Sequence, residues 1–304
     1  MYLEHFKLKE FPFSLTPNTY YFCNLPTHQE ALNVLLVCLR NGEGFIKIIG
    51  EVGTGKTLLC RKLLSSLGDE FVTAYIPNPD LSVSGLHKAI TQELGVKFPE
   101  NVDHHQLLNL LNEKLLALHR EGKHVTLVVD EAQVLTDHCL EALRLLSNLE
   151  TESDKLIQIV LLGQPELDEK LNNAGMRQLK QRIVFSYYLE PIKKKELNSY
   201  LSHRLAIAGY TKGSLFSRRA CALLFKASRG IPRLINILCH KALMVAYGQG
   251  ENSVNGKAMR MAIQDTDVAE STFRGGLYLL VNSVLVVLLV VLGVELFFAF
   301  GLHL

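Results

Sequence analysis

Residues 50–57 read GEVGTGKT and follow the short apolar run GFIKIIG, residues 44–50. The pattern is G-x-x-x-x-G-K-[ST], and the helical sequence LLCRKLLSSL comes next. A buried strand, a glycine-rich turn and a helix start in this order leave few folds open. Gly53 and Gly55 let the backbone turn tightly, so that its N–H groups converge on phosphate oxygens at a helix N-terminus. Lys56 reaches the β- and γ-phosphates, and Thr57 offers a hydroxyl to Mg²⁺. Gly50, Glu51, Val52, Gly53, Thr54, Gly55, Lys56, Thr57 and Leu58 are therefore the candidate nucleotide contacts, with ATP and Mg²⁺ as the expected cofactors.

A second apolar run, HVTLVV, ends in Asp130 and Glu131 within TLVVDEAQ, residues 126–133. In P-loop proteins an aspartate at this strand end holds the magnesium shell. A carboxylate beside it can polarise the attacking water as a general base. Asp130 and Thr57 are the candidate metal ligands, and Glu131 is the candidate base.

Further strand patterns are EFVTAYI (70–76), LIQIVLL (156–162) and IVFSYYL (183–189), with helical patterns between them. Five strands alternating with helices predict a three-layer α/β domain with a parallel sheet over residues 1–191. After Pro191 only helical spacing of three and four remains, as in SRRACALLFKAS and PRLINILCHKALMVAYG. Residues 192–268 are predicted to form a helical lid. No internal repeat or low-complexity stretch precedes residue 270.

Leu277–Val294 reads LYLLVNSVLVVLLVVLGV, with Asn282 and Ser283 its only clearly polar side chains. At about 1.5 Å per residue that is roughly 27 Å of helix, close to the hydrocarbon thickness. Either Glu295 sits at the far interface or the helix continues to about Leu302; residues 277–300 are taken as a transmembrane helix. The alternative is a buried core helix, but core helices of this length normally keep a polar face. Arg274 stands just before the span, with Lys257 and Arg260 upstream. The positive-inside bias predicts a single-pass protein with the large N-terminal part in the cytoplasm. The opening MYLEHFKLKEFPF lacks a basic flank followed by an apolar core, so no secretory leader is expected.

Composition excludes several functions. The 32 Lys and Arg against 30 Asp and Glu give a net charge of +2, which offers no electrostatic footprint for nucleic acid. The six cysteines form no CxxC pair and join no His cluster, so they read as structural thiols of a reducing compartment. His104-His105 lacks ligand partners at metal spacing and reads as a surface pair. Lys193-Lys194-Lys195 reads as a solvated helix start. DEAQ has the look of a helicase box, but a second motor core has no room in 304 residues that include an anchor. No N-K-x-D motif reads guanine. A non-catalytic scaffold would need a degenerate site, and Lys56, Thr57, Asp130 and Glu131 are all present.

The order of a P-loop core and a helical lid resembles an AAA+ ATPase. The likeness extends to the general secretion pathway protein A family, on the side of its members for mannose-sensitive haemagglutinin pilus biogenesis. It is carried by FKLKEFPFSLTPNTYYF, by His28 in LPTHQEAL, and by GFIKIIGEVGTGKT, LVVDEAQ, IVLLGQPEL, LKQRIVFSYYLEPI and RGIPRLIN, over roughly residues 1–265. The resemblance implies ATP binding and hydrolysis in a homo-oligomeric ring. It implies as partners pilus or type II secretion assembly proteins such as a secretin, at the bacterial inner membrane; from the charge balance no nucleic acid is expected. It also implies particular roles. Gln164 falls at the sensor-1 position, or is a loop glutamine before Pro165. Arg233 in GIPRL falls at the sensor-2 position on the lid, or is an ordinary helix-start arginine. Arg177 and Arg182 are candidates for an arginine finger reaching a neighbouring subunit, or form a solvated basic face. The aromatic segment Phe11-Pro12-Phe13 with Tyr20 to Phe22 is expected to pack near the adenine side. Larger members continue past the membrane into a cell-wall-binding domain; here few residues follow the span, so that activity is not expected. The alternative function is a DNA-linked regulator of the transposition or origin-binding type.

Overall fold

The structure, a computed structural model, describes residues 2–152 and 154–266. The chain divides into two compact units. Of the described residues, one unit comprises 16–192 together with Ile231–Arg233, and the other 2–15, 193–230 and 234–266.

In chain order the elements begin with α1 (Tyr2–Phe6), α2 (Pro26–Arg40), β1 (Phe45–Ile49), α3 (Lys56–Leu64) and β2 (Phe71–Ile76). Next come α4 (Val83–Glu93), α5 (His104–Arg120), β3 (His124–Val129), α6 (Asp137–Leu146), β4 (Gln158–Gly163), α7 (Pro165–Leu171), α8 (Arg177–Arg182) and β5 (Phe185–Tyr188). The described chain ends with α9 (Leu197–Ile207), α10 (Arg218–Ser228), α11 (Pro232–Gly248) and α12 (Gly256–Gln264).

The α/β unit is built on one sheet of order β2-β3-β4-β1-β5, with every pairing parallel. Parallel strands joined by helices are covered on both faces, which is why the inner strands β1, β3 and β4 are apolar and buried at most positions, whereas the edge strand β5 is largely exposed. Successive residues feed opposite cores. Phe45, Ile49, Leu127, Val129, Ile159 and Leu161 pack with Leu86 and Ile90 of α4, Leu111 and Leu115 of α5, and Leu140 and Leu143 of α6. Ile46, Ile48, Val128, Val160 and Leu162 pack with Leu32, Leu35 and Leu39 of α2 and Leu59 and Leu63 of α3. Lys47 breaks the apolar run of β1, and its ammonium is paired with Asp168 of α7. Ser82, Asp103 and Thr136 cap α4, α5 and α6 through their side chains, satisfying amide groups that have no partner inside a helix.

The five expected strands are all present, with ends that differ by one or two residues. The first fifteen residues depart from the expected division at 191. They belong to the helical unit because Arg204 of α9, buried, donates from Nε to the Pro12 carbonyl at 2.6 Å and from Nη2 to the Ser14 carbonyl at 3.3 Å. Phe13 stacks edge-on against Phe216, 5.8 Å between ring centres. Of the aromatic segment expected near the adenine side, Phe11 and Phe13 lie in the helical unit, Tyr20 is exposed, and Phe22 packs edge-on against His28. None of the six cysteines is in a disulfide; Cys38, Cys60, Cys139 and Cys239 are buried, and Cys23 and Cys221 are half-buried. Lys193, Lys194 and Lys195 are exposed just before α9. The apolar segment 277–300, expected to cross a membrane, lies outside the described residues. Among those described, no helix is long and apolar enough to cross one.

His104 and His105 are exposed at the start of α5, but His104 stacks on a buried histidine, His87 of α4, at 5.1 Å. His87 is only 4% exposed, and among the described residues neither of its ring nitrogens has a hydrogen-bond partner. Burial, and secondarily the charge of His104, push the His87 pKa down to about 4. The folded protein therefore holds this ring neutral, whereas the unfolded chain protonates at about 6.5. The stability this represents is complete above a pH of about 6.5 and is lost as pH falls toward about 4, at most about 3 kcal/mol in all. Urea unfolding at about pH 7 and about pH 4.5 should show this loss, and His87→Leu should flatten it.

Candidate active site

The loop between β1 and α3 is shaped by two glycines in the left-handed region, Gly53 at φ 81° and Gly55 at φ 105°. At Gly53 a side chain is excluded twice. Its Cβ would stand 2.6 Å from the Cβ of Arg233, whose backbone N–H donates to the Gly53 carbonyl at 3.1 Å. The loop is further held by Thr54, whose hydroxyl donates to the Glu51 carbonyl at 2.8 Å. From behind, His28 Nε2 lies 2.9 Å from the Thr54 carbonyl.

Lys56 opens α3 and is buried. Its ammonium donates to the Gly50 carbonyl at 2.7 Å and to the Glu51 carbonyl at 3.1 Å, so it lies in the curve of the loop. Burial lowers its pKa, while the negative charges of Glu131, Asp130, Glu51 and Glu166 hold it up. Thr57 follows and faces Asp130, the residue after β3. Asp130 is buried, which raises its pKa; the hydroxyl of Thr57 and the Glu131 N–H, which donates to Oδ1 at 2.9 Å, oppose that rise.

Glu131 takes a left-handed turn at φ 51°, which turns the chain sharply as it leaves β3. One carboxylate oxygen, Oε2, accepts two amide bonds, from Gln133 Nε2 at 2.6 Å and Gln164 Nε2 at 3.0 Å. Burial acts to raise its pKa, but the two amides and the charge of Lys56 outweigh it and leave the pKa lowered. The Gln164 backbone N–H donates to Gln133 Oε1 at 3.1 Å, which closes a ring of three residues across the ends of β3 and β4.

Lys56, Thr57, Asp130, Glu131 and Gln164 thus converge at the carboxyl ends of β1, β3 and β4, where ligands bind in open parallel sheets. Arg233 joins the P-loop through its backbone, with an exposed side chain. Gly50, Glu51, Val52 and Leu58 flank the loop; Glu51 and Val52 are exposed. Arg177 is exposed as the first residue of α8. Arg182 at its end is half-buried, 3.5 Å from the Ser147 hydroxyl. These two are not brought to the cluster within this chain. Two further side chains enter the site without a role that the sequence announces: Gln133, and Tyr75 of β2, whose pKa is raised by burial and further by the nearby charge of Asp130. His28, part of the family resemblance, acquires its role only here, as the support behind Thr54.

The residues fit a nucleotide with magnesium. The loop presents backbone amides and a lysine, and the Thr57–Asp130 pair offers hard oxygen donors of the kind magnesium takes alongside phosphates. Among the described residues, no group of three or more His, Cys, Asp and Glu could hold a metal by itself.

A family model described as an AAA domain matches residues 39–171. General secretion pathway protein A of Aeromonas hydrophila is 40% identical over 289 residues, which is 94% of this chain. The chain thus carries an AAA domain and is similar over nearly its whole length to general secretion pathway protein A. It spans about half, 53%, of that relative's length. Among solved structures, Cdc6p from Pyrobaculum aerophilum matches with a TM-score of 0.66 and 22% identity, over 84% of this chain and 70% of that one. The ORC2 protein of Aeropyrum pernix, in ADPNP–ADP complexes, gives 0.60 and 17% over 83% and 72%. The RuvB branch migration motor of Thermotoga maritima gives 0.52 and 16% over 78% and 67%. At these identities the three show the AAA+ fold and nothing finer.

Proposed function

We propose that this protein is a member of the general secretion pathway protein A family and a membrane-anchored ATPase that assists assembly of an envelope machine, a type IV or mannose-sensitive haemagglutinin pilus or a type II secretion apparatus. The observation that carries the catalytic part is the convergence of Lys56, Thr57, Asp130 and Glu131 at the carboxyl ends of β1 and β3, the two strands that flank β4. The secretion part rests on the relative's name, and the anchor on the apolar residues 277–300.

In this reading the Lys56 ammonium exchanges its two carbonyl partners for β- and γ-phosphate oxygens, joined by the loop amides. Thr57 and Asp130 would hold Mg²⁺, whose charge would offset that of the phosphates. The carboxylate of Glu131 accepts a proton as a water oxygen bonds to the γ-phosphorus and the bond to ADP breaks. Gln164 and Gln133 keep Glu131 aimed. Arg233 supplies a cation at the loop, and Arg177 or Arg182 acts on the nucleotide of a neighbouring copy in a ring. A secretin or similar assembly protein is the partner that ring would place. A DNA-linked reading rests on the likeness to Cdc6 and ORC proteins, which extends to the fold alone, whereas the secretion relative is 40% identical.

The test is subunit mixing. An arginine finger is useless to a monomer, so phosphate release per chain should rise with protein concentration. Arg177→Ala or Arg182→Ala should lower the rate about tenfold or more with ATP binding intact. Mixing that variant with Lys56→Ala protein should partly restore turnover, because an intact loop on one copy then faces an intact finger on the next. Activity independent of concentration, with no rescue, would refute the ring and both fingers while leaving the ATPase standing.

A further inference from the structure

The helical unit holds a feature that nucleotide chemistry does not use. A half-open cavity of about 740 Å³ lies between α9 and α10. Its floor is apolar. Leu197, Leu201 and Leu205 of α9 line it at i, i+4 and i+8, and each is buried. The opposite wall is a single stripe of α10, Arg218, Cys221, Ala222 and Phe225, at i, i+3, i+4 and i+7. Two helix stripes facing a common trough make a groove. At about 1.5 Å per residue, the α9 stripe from Leu197 to Leu205 is roughly 12 Å long and the α10 stripe roughly 10 Å.

The rim is charged with one sign. Lys194 precedes α9, Lys212 lies in the connection between the two helices, and Arg218 begins α10; all three line the cavity and are exposed. Tyr210 and Thr211 add hydroxyl groups beside Lys212. Among the described residues that line the groove, none is Asp or Glu. In a chain whose net charge is only +2, three cations with no carboxylate around one apolar trough are a local departure from the average.

We propose that the α9–α10 groove is a docking site for an acidic amphipathic helix of a partner protein. The groove's length suits about two to three turns of helix. Its floor takes apolar side chains spaced at i, i+3, i+4 and i+7, as in other helix-in-groove complexes. Its rim takes carboxylates, which set orientation and speed of encounter more than total affinity. A small anionic metabolite would leave most of the apolar floor wet.

The experiment uses the full chain in phosphatidylcholine nanodiscs. Its probe is a fluorescent helical peptide of about 15 residues with leucines at i, i+3, i+4 and i+7 and glutamates on both flanks. A second peptide carries lysine at every glutamate position. The glutamate peptide should bind saturably, and at least about tenfold more tightly than the lysine peptide. Lys212→Glu with Arg218→Glu should reverse that preference, which a general loss of fold would not do. Ala222→Trp, which fills the groove from an exposed position, should abolish binding of both peptides. ATP binding, read in parallel, should be unchanged in every variant, so failure here and failure of the ATPase reading are distinguishable. No binding of the glutamate peptide, equal binding to Ala222→Trp, or unchanged charge preference in the double variant would overturn the proposal. So would rim-dependent capture of phosphatidylglycerol vesicles without peptide binding, which would make the groove a lipid site.

Discussion

Lys56→Ala should weaken ATP binding by about 100-fold or more, about 3 kcal/mol, measured by calorimetry or by displacement of a fluorescent nucleotide. The size follows from where the ammonium sits. It is buried, its desolvation already compensated by four carboxylates and two loop carbonyls. Removing it takes away charge-assisted bonds to phosphate and also leaves Glu131, Asp130 and Glu51 facing the phosphates without a counter-charge. The carbonyls of Gly50 and Glu51 lose a donor as well. A loss below about fivefold would mean that the loop amides alone carry the affinity, and that the lysine serves the loop and not the ligand.

Glu131→Gln should have the opposite profile: ATP bound with nearly unchanged affinity and turnover lowered by about 10² to 10⁴. An amide at this position fills the same volume but accepts no proton, while Lys56, Thr57 and Asp130 are untouched. Single-turnover phosphate release with bound ATP separates the two effects. The pH profile adds a sign. Because the net pKa of Glu131 is lowered, the carboxylate stays ionised to more acid pH than an ordinary glutamate. The acid limb of the rate should therefore lie below the usual glutamate range, and Gln133→Ala should shift it upward by removing one of the two amides. Equal rates in Glu131→Gln and the parent chain would remove this residue from the mechanism.

What the sequence makes legible is what is local. The P-loop announces itself because glycine spacing, a lysine and a following helix are adjacent in the chain. Asp130 and Glu131 are readable from the apolar run before them. The alternation of strands and helices yields a parallel sheet, although not its order, which puts β1 between β4 and β5. Contacts made across long separations leave no such trace. Arg204 reaches Pro12 and Ser14, 192 and 190 positions earlier, so nothing in residues 1–15 tells of their place in the helical unit. Gln133 looks like the tail of an acidic motif; only the left-handed turn at Glu131 brings its amide back onto the carboxylate. Tyr75 reads as one more β-forming residue, and its place beside Asp130 comes from the pairing of β2 beside β3. His87 sits at an ordinary core position of α4, and no pattern signals that both its nitrogens lack partners.

The distribution of thiols has a practical consequence. Four of the six are buried, while Cys23 in the α/β unit and Cys221 in the helical unit are half-buried. The native chain thus carries one addressable label site on each unit, with no engineered mutation. Burial raises the Cys221 pKa, so a maleimide dye should modify it slowly at neutral pH and faster as the solution is made alkaline. Since Cys221 also lines the α9–α10 groove, an environment-sensitive fluorophore attached there would serve as an optical reporter of occupancy, and with a partner dye on Cys23 as a spectroscopic ruler along the nucleotide cycle.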